Sequence, residues 1–149
     1  MNLNIKIAVI TSRFNEEITQ LLKQGCLAQL QTLGLTDEQL KIIDVPGAVE
    51  IPFVAKQLAL RHKYDAIICL GAVIRGETTH YDYVCAQVSN GCAKVMMKFD
   101  IPVIFGVLTT ENEAQALDRV GGVHGHKGID AANVALEMIH ITRDIAAIF

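Results

Sequence analysis

Short β-branched runs alternating with amphipathic stretches predict an α/β chain, a three-layer sandwich around a four-stranded parallel sheet. Two observations carry this. First, Ile5–Ile10, Lys41–Val45, Ala66–Leu70 and Val103–Leu108 are each too short for a helix and are bounded by Gly, Pro, Asn or Asp, as buried strands are. Second, apolar residues recur between them at three- and four-residue intervals. A continuous apolar strand followed each time by a helix requires parallel pairing with both sheet faces covered.

In chain order, the first strand leads to a helix whose stripe is Ile18, Leu21, Leu22, Gly25, Cys26 and Leu30. The second leads to a stripe of Val49, Phe53, Ala55, Leu58 and Ala59. Tyr83–Phe99, Glu111–Val120 and Ile129–Ile148 are the remaining helices. Pro46, Pro52 and Pro102 stand at element borders, where a missing N–H is tolerated. The pattern is flavodoxin-like in kind and predicts a single domain over residues 1–149.

Composition narrows the function. With 51% hydrophobic residues in 149, the chain has ample core and is not disordered. The apolar surplus predicts contacts between subunits, so the fold is expected to be oligomeric. A net charge of -3 argues against nucleic acid, which requires a clustered basic face. No run approaches the length of a membrane span. Met1–Lys6 lacks the features of a signal peptide, and Cys26, Cys69, Cys85 and Cys92 show no C-x-x-C spacing. A cytoplasmic, reduced setting without zinc is expected.

Ligands of an open parallel sheet bind beyond the carboxyl ends of its strands. Four segments should therefore converge there: Thr11–Asn15, Pro46–Glu50, Gly71–His80 and Leu108–Asn112. The third, read as a loop running to Asp82, is the most informative. Gly76 admits close backbone approach, and Thr78 and Thr79 add hydroxyls before a helix start, where N–H groups and the helix dipole favour an anion. An ordinary cap by Thr79 or Asp82 is the alternative. His80 beside this turn can exchange protons near neutral pH. His62 reads as a dipole partner at a helix end, and His124 and His126 flank Gly125 in a loop.

Phe14 either plugs the top of the core or stacks on a flat heterocycle, with Asn15 offering donor and acceptor. Glu50 either complements a helix dipole or accepts from ligand hydroxyl or N–H groups, while Gly47 lets the backbone come close. Arg119 and Lys127 flank a Gly-rich turn. They either serve helix ends, with Gly121 as a C-cap, or bind an anion, with Asp130 pairing Arg119. That turn need not reach the other loops within one subunit; a neighbour's copy could supply it.

Together Ser12–Asn15, Val45–Pro52, Gly71–Asp82, Phe105–Asn112 and Gly125–Asp130 resemble the 6,7-dimethyl-8-ribityllumazine synthase family, over nearly the whole chain. The resemblance implies condensation of 5-amino-6-(ribitylamino)uracil with 3,4-dihydroxy-2-butanone 4-phosphate, releasing phosphate and water, as the penultimate step of riboflavin biosynthesis. It implies no cofactor and no metal. Phe14 would stack on the pyrimidine; Asn15, Gly47, Ala48, Glu50, Val73 and Ile74 would hold its edge and ribityl chain. The Gly76–Thr79 turn, with Glu77 and Thr78, would bind phosphate together with Arg119, and His80 would shuttle protons. Phe105 and Lys127, with Arg119, would come from the adjacent subunit, and Asp130 is counted among the substrate-binding residues.

A homopentamer is implied, with a lean towards a sixty-subunit shell and with riboflavin synthase as a candidate partner. Two departures stand out. Glu77 puts an acid in the phosphate turn, so its N–H is expected to bind while its carboxylate points away. The chain also starts almost at its first core strand, where many family members carry an extra one. The competing function class is a non-catalytic flavodoxin-like module binding a flavin or lumazine, which would not require His80 beside an anion turn. A flavodoxin proper expects glycine in the loop after the first strand, and Thr11–Asn15 has none.

Overall fold

The computed structural model describes residues 4–148. Met1 to Leu3, part of the stretch read as lacking a leader, and Phe149 lie outside the described residues. The elements run β1 (Ile7–Ser12), α1 (Glu16–Thr32), β2 (Leu40–Val45), α2 (Ile51–Ala59), β3 (Ala66–Ile74) and α3 (His80–Phe99). They continue with β4 (Val103–Thr110), α4 (Glu113–Leu117), β5 (Val120–Gly122), β6 (Gly125–His126) and α5 (Lys127–Ala146).

The main sheet is parallel in the order β2-β1-β3-β4, and β5 and β6 form a small antiparallel pair. Successive strand side chains face opposite layers. Val9, Ile68, Leu70, Ile104 and Leu108 pack on α1 and α5 through Leu22, Cys26, Leu30, Ala132 and Ile139. Ile10, Ile67, Cys69 and Val107 pack on α2 and α3 through Ile51, Ala55, Val88 and Cys92. The three-layer α/β architecture is thus the predicted one.

Element borders differ from the sequence reading where backbone pairing, not side-chain character, decides. Gly71 to Ile74, expected in a loop, instead continue β3, because they pair in register with Val107 to Thr110. The loop is reduced to the turn before His80, where α3 begins. The helix expected over Glu111–Val120 is only the short α4; Gly121 and Gly125 take positive φ (112° and 78°) and fold the rest into a hairpin. Coverage of both faces fails at β2, the sheet edge, where Ile42 is exposed and Lys23 of α1 reaches Asp44 at 3.0 Å instead. Phe53, read into the α2 stripe, faces solvent. His62 lies past the end of α2 with φ 53°, its N–H donating to the Ala59 carbonyl.

Candidate active site

The loops at the carboxyl edge are tied to one another by backbone groups that extend the strand ladders. Arg13 and Phe14 N–H donate to the carbonyls of Val45 and Pro46 at 2.8 and 3.0 Å, locking the first loop onto the second. Asn15 adopts a left-handed conformation (φ 63°) that Asn tolerates better than most residues. Its Nδ2 donates to the Ala72 carbonyl at 2.9 Å, joining the first loop to β3. Arg75 N–H donates to Thr110 O at 2.9 Å, joining β3 to β4 beyond their last pair.

These ties frame a cavity of about 440 Å³ lined by Phe14, Asn15, Gly47, Ala48, Val73, Ile74, Thr78 and His80, with Ala72, Val49, Gly76, Tyr81 and Val84. Phe14 is 71% exposed, which excludes the core-plug reading: the ring stands free over the cavity. Most of the wall is apolar, with Asn15, Thr78, His80 and Tyr81 as its polar side chains. The His80 N–H is met by Thr78 Oγ1 at 3.3 Å. Neither Thr79 nor Asp82 caps α3 through its side chain; Asp82 instead pairs with Arg75 at 3.1 Å.

Arg75, just past the end of β3 and absent from the expected site residues, is bound by Asp82 and by Glu111 at 2.6 Å, and its guanidinium lies 4.4 Å from the Tyr81 ring centre. Asp82 first, then Glu111, raises the Arg75 pKa above its ordinary value, and these partners take donors at Nη2 and Nε. Burial raises the Tyr81 pKa, with further help from its bond to Cys85.

A second cavity of about 340 Å³ is lined by Arg119, Lys127, Asp130 and His124, with Val107 to Thr110 of β4. It shares no lining residue with the first. Two cations against one carboxylate suit it to an anion. The expected Arg119–Asp130 pair is not formed among the described residues: Arg119 donates from Nη1 to Gln115 O at 2.8 Å, reaching the last turn of α4. Gly121 does not cap that helix, whose C-cap is Asp118. Among the described residues no three His, Cys, Asp or Glu side chains gather as a metal set.

The family model for 6,7-dimethyl-8-ribityllumazine synthase matches residues 4–143. The chain belongs to the 6,7-dimethyl-8-ribityllumazine synthase family. Proteins named 6,7-dimethyl-8-ribityllumazine synthase from Coxiella burnetii strains CbuG_Q212 and RSA 493 / Nine Mile phase I are 50% identical to it over 142 residues. The aligned stretch is 95% of this chain and 94% of each relative. The protein of the same name from strain Dugway 5J108-111 matches to the same extent.

Four residues expected at the lumazine synthase site line neither cavity: Glu50, Glu77, Thr79 and Phe105. Half-buried Glu50 ends a tight turn at the start of α2, and its Oε1 lies 3.1 Å from where a Gly47 Cβ would stand, so the carboxylate folds back over that glycine. Glu77 is exposed on the turn. Phe105 packs half-buried on the α2 and α3 side of β4.

Among lining residues, Tyr81, Val84, Val107 and His124 lie outside both the four segments expected to converge and the named candidates. Tyr81 and Val84 stand in the first helical turn and a half after His80, so the earlier start of α3 was the signal for them. No helix of the described residues is long and apolar enough to cross a membrane.

Proposed function

We propose that this chain forms lumazine at a site assembled from the first cavity of one copy and the cationic cleft of the next, in a ring of five. The reaction joins 5-amino-6-(ribitylamino)uracil to 3,4-dihydroxy-2-butanone 4-phosphate and releases phosphate and water. The observation that supports the shared site is the separation itself. Phe14 and His80 line one cavity, Arg119 and Lys127 another, and no residue belongs to both.

In this reading the pyrimidine stacks on Phe14, and the backbone of Gly47, Ala48, Val73 and Ile74 meets its edge and ribityl chain beside Asn15. Glu50 and the neighbour's Phe105 complete the pocket once substrate and second copy are seated. The ketone phosphate lies between the Gly76–Thr79 turn, with Glu77 contributing its N–H, and the cleft of Arg119 and Lys127, balanced by Asp130. Holding both reactants so close converts a two-body encounter into an internal one.

The 5-amino nitrogen attacks the ketone, and loss of water leaves an imine. Removal of the proton on the hydroxyl-bearing carbon next to the imine supplies the electrons for a new carbon–carbon double bond as phosphate departs with the C–O bond electrons, stabilised by the cations, and the enol so formed becomes a ketone. After a proton shift the second nitrogen closes the ring with loss of water. His80, at the mouth of the turn, takes and returns the protons. The free thiols suit a reducing cytoplasm. Assembly into a sixty-subunit shell and association with a riboflavin synthase extend the same reading.

Steady-state kinetics test the roles. Arg119→Ala should raise KM for the ketone phosphate by about a hundredfold, the scale of a lost charge-assisted contact. His80→Ala should lower kcat by about a hundredfold, the low end for a lost general acid–base group, because positioning survives. Arg119→Ala kinetics indistinguishable from wild type would discard the phosphate assignment.

A further inference from the structure

We propose that His126 is a positioning residue for the cationic cleft, acting by fixing the start of α5, the helix whose first residue is Lys127. The proposal rests on the reading of that cleft as the phosphate half of the site. His126 is absent from the lining of both cavities, so it acts through its neighbours.

Its Nδ1 accepts from the N–H of Gly128 at 3.1 Å and of Ile129 at 3.3 Å, two of the amides that a helix start leaves without partners. An Nδ1 that accepts twice carries no proton. Histidine is an unusual residue for this task, which Ser, Thr, Asp and Asn commonly perform. Here the ring is held by its surroundings. A Cβ on Gly25 of α1 would run into it, lying 2.5 Å from Nε2, and one on Gly128 would lie 3.0 Å from Cε1. That same Cβ on Gly128 would collide with the Leu22 carbonyl, so α1 and α5 close on the ring with no room to spare.

The cap governs both cations. Lys127 is the next residue, and its N–H donates to the Arg119 carbonyl at 2.8 Å. His126 itself pairs with Val120 across the β5–β6 ladder. The backbones carrying Arg119 and Lys127 are therefore joined to each other and to the capping ring. Without the acceptor at Nδ1, the first turn of α5 loses two bonds and the cleft loses its fixed spacing.

The test uses three variants of the full-length enzyme: His126→Ala, His126→Asn and His126→Gln. Asn places an oxygen at the same bond separation from the backbone as Nδ1; Gln places it one atom too far. The readouts are KM for each substrate and the inhibition constant of inorganic phosphate against the ketone phosphate. Alanine and Gln should raise both the phosphate constant and the ketone KM about fivefold, the effect of one lost cap. KM for the pyrimidine should stay within about twofold, and Asn should return all values to near wild type.

An unmoved phosphate constant in His126→Ala overturns the proposal, as does an Asn variant impaired as much as Ala. If the Ala variant does not fold, equal constants for Asn and Gln overturn it. Arg119→Ala serves as the control. If that variant leaves phosphate inhibition unchanged, the phosphate reading of the cleft fails and this proposal falls with it. If it raises the constant while the His126 variants do not, only the positioning role fails.

Discussion

Phe14 and Cys26 mark the two extremes of environment a side chain meets in this fold. Phe14 holds its ring in solvent at the lip of a mostly apolar cavity, the exposed apolar face that the proposed stacking would cover. Cys26 is fully enclosed between α1 and the sheet, and burial pushes its thiol up to about 12 from an ordinary 9.0. The folded state thus keeps a proton there that the unfolded chain gives up. Stability from this group is fully present below pH 9 and is lost as pH rises from 9 towards 12, by at most about 1.4 kcal/mol per pH unit. Urea unfolding at a series of alkaline pH values should show this slope, and Cys26→Ala should flatten it. Iodoacetamide should leave Cys26 unmodified in the native protein near neutral pH, because the thiolate is the reactive form. The buried Cys69 thiol, raised by its bond to Cys92 and by burial, should resist likewise.

At the level of elements, what holds the site is the set of ties between strand ends. Asn15 is the best case, combining a left-handed backbone with a side-chain bond to β3. Asn15→Ala should destabilise the fold by about 2 kcal/mol, since it loses the bond and adds strain. Asn15→Gly loses only the bond and should cost about 1 kcal/mol. Thermal or urea denaturation of the two variants separates the contributions.

Strands, helices and layer order were legible in the sequence because hydrophobic periodicity reports burial directly. Strand ends were not. Gly71–Ile74 look like loop residues and become strand only through pairing with β4. The Glu111–Gly125 stretch has helical spacing at Leu117 and Val120, yet glycines at positive φ turn it into a hairpin. Phe14, Asn15, His80, Arg119 and Lys127 stood out by residue type at the right edge of the sheet. Arg75 and His126 did not, since their importance comes from partners distant in sequence: Glu111 for one, Gly25 for the other.

At the scale of the whole molecule, the proposed shared site requires an assembly. A ring in which every copy offers a cavity to one neighbour and a cleft to the other is a head-to-tail arrangement that closes on itself. Each contact in such a ring pairs different surfaces, so defects on the two sides can be placed in different chains. Phe14→Ala combined with His80→Ala disables the cavity half, while Arg119→Ala disables the cleft half. Assayed with ketone phosphate well below the KM of the Arg119 variant, either variant alone should form rings with little activity. The decisive measurement is the activity of mixed rings obtained by co-expressing the two variants under separate affinity tags and isolating assemblies that carry both. With random mixing about a quarter of the interfaces pair an intact cavity with an intact cleft, so a site built from two copies should restore about a quarter of wild-type turnover. Mixed rings no more active than the average of the two parents would mean that each chain carries its own complete site.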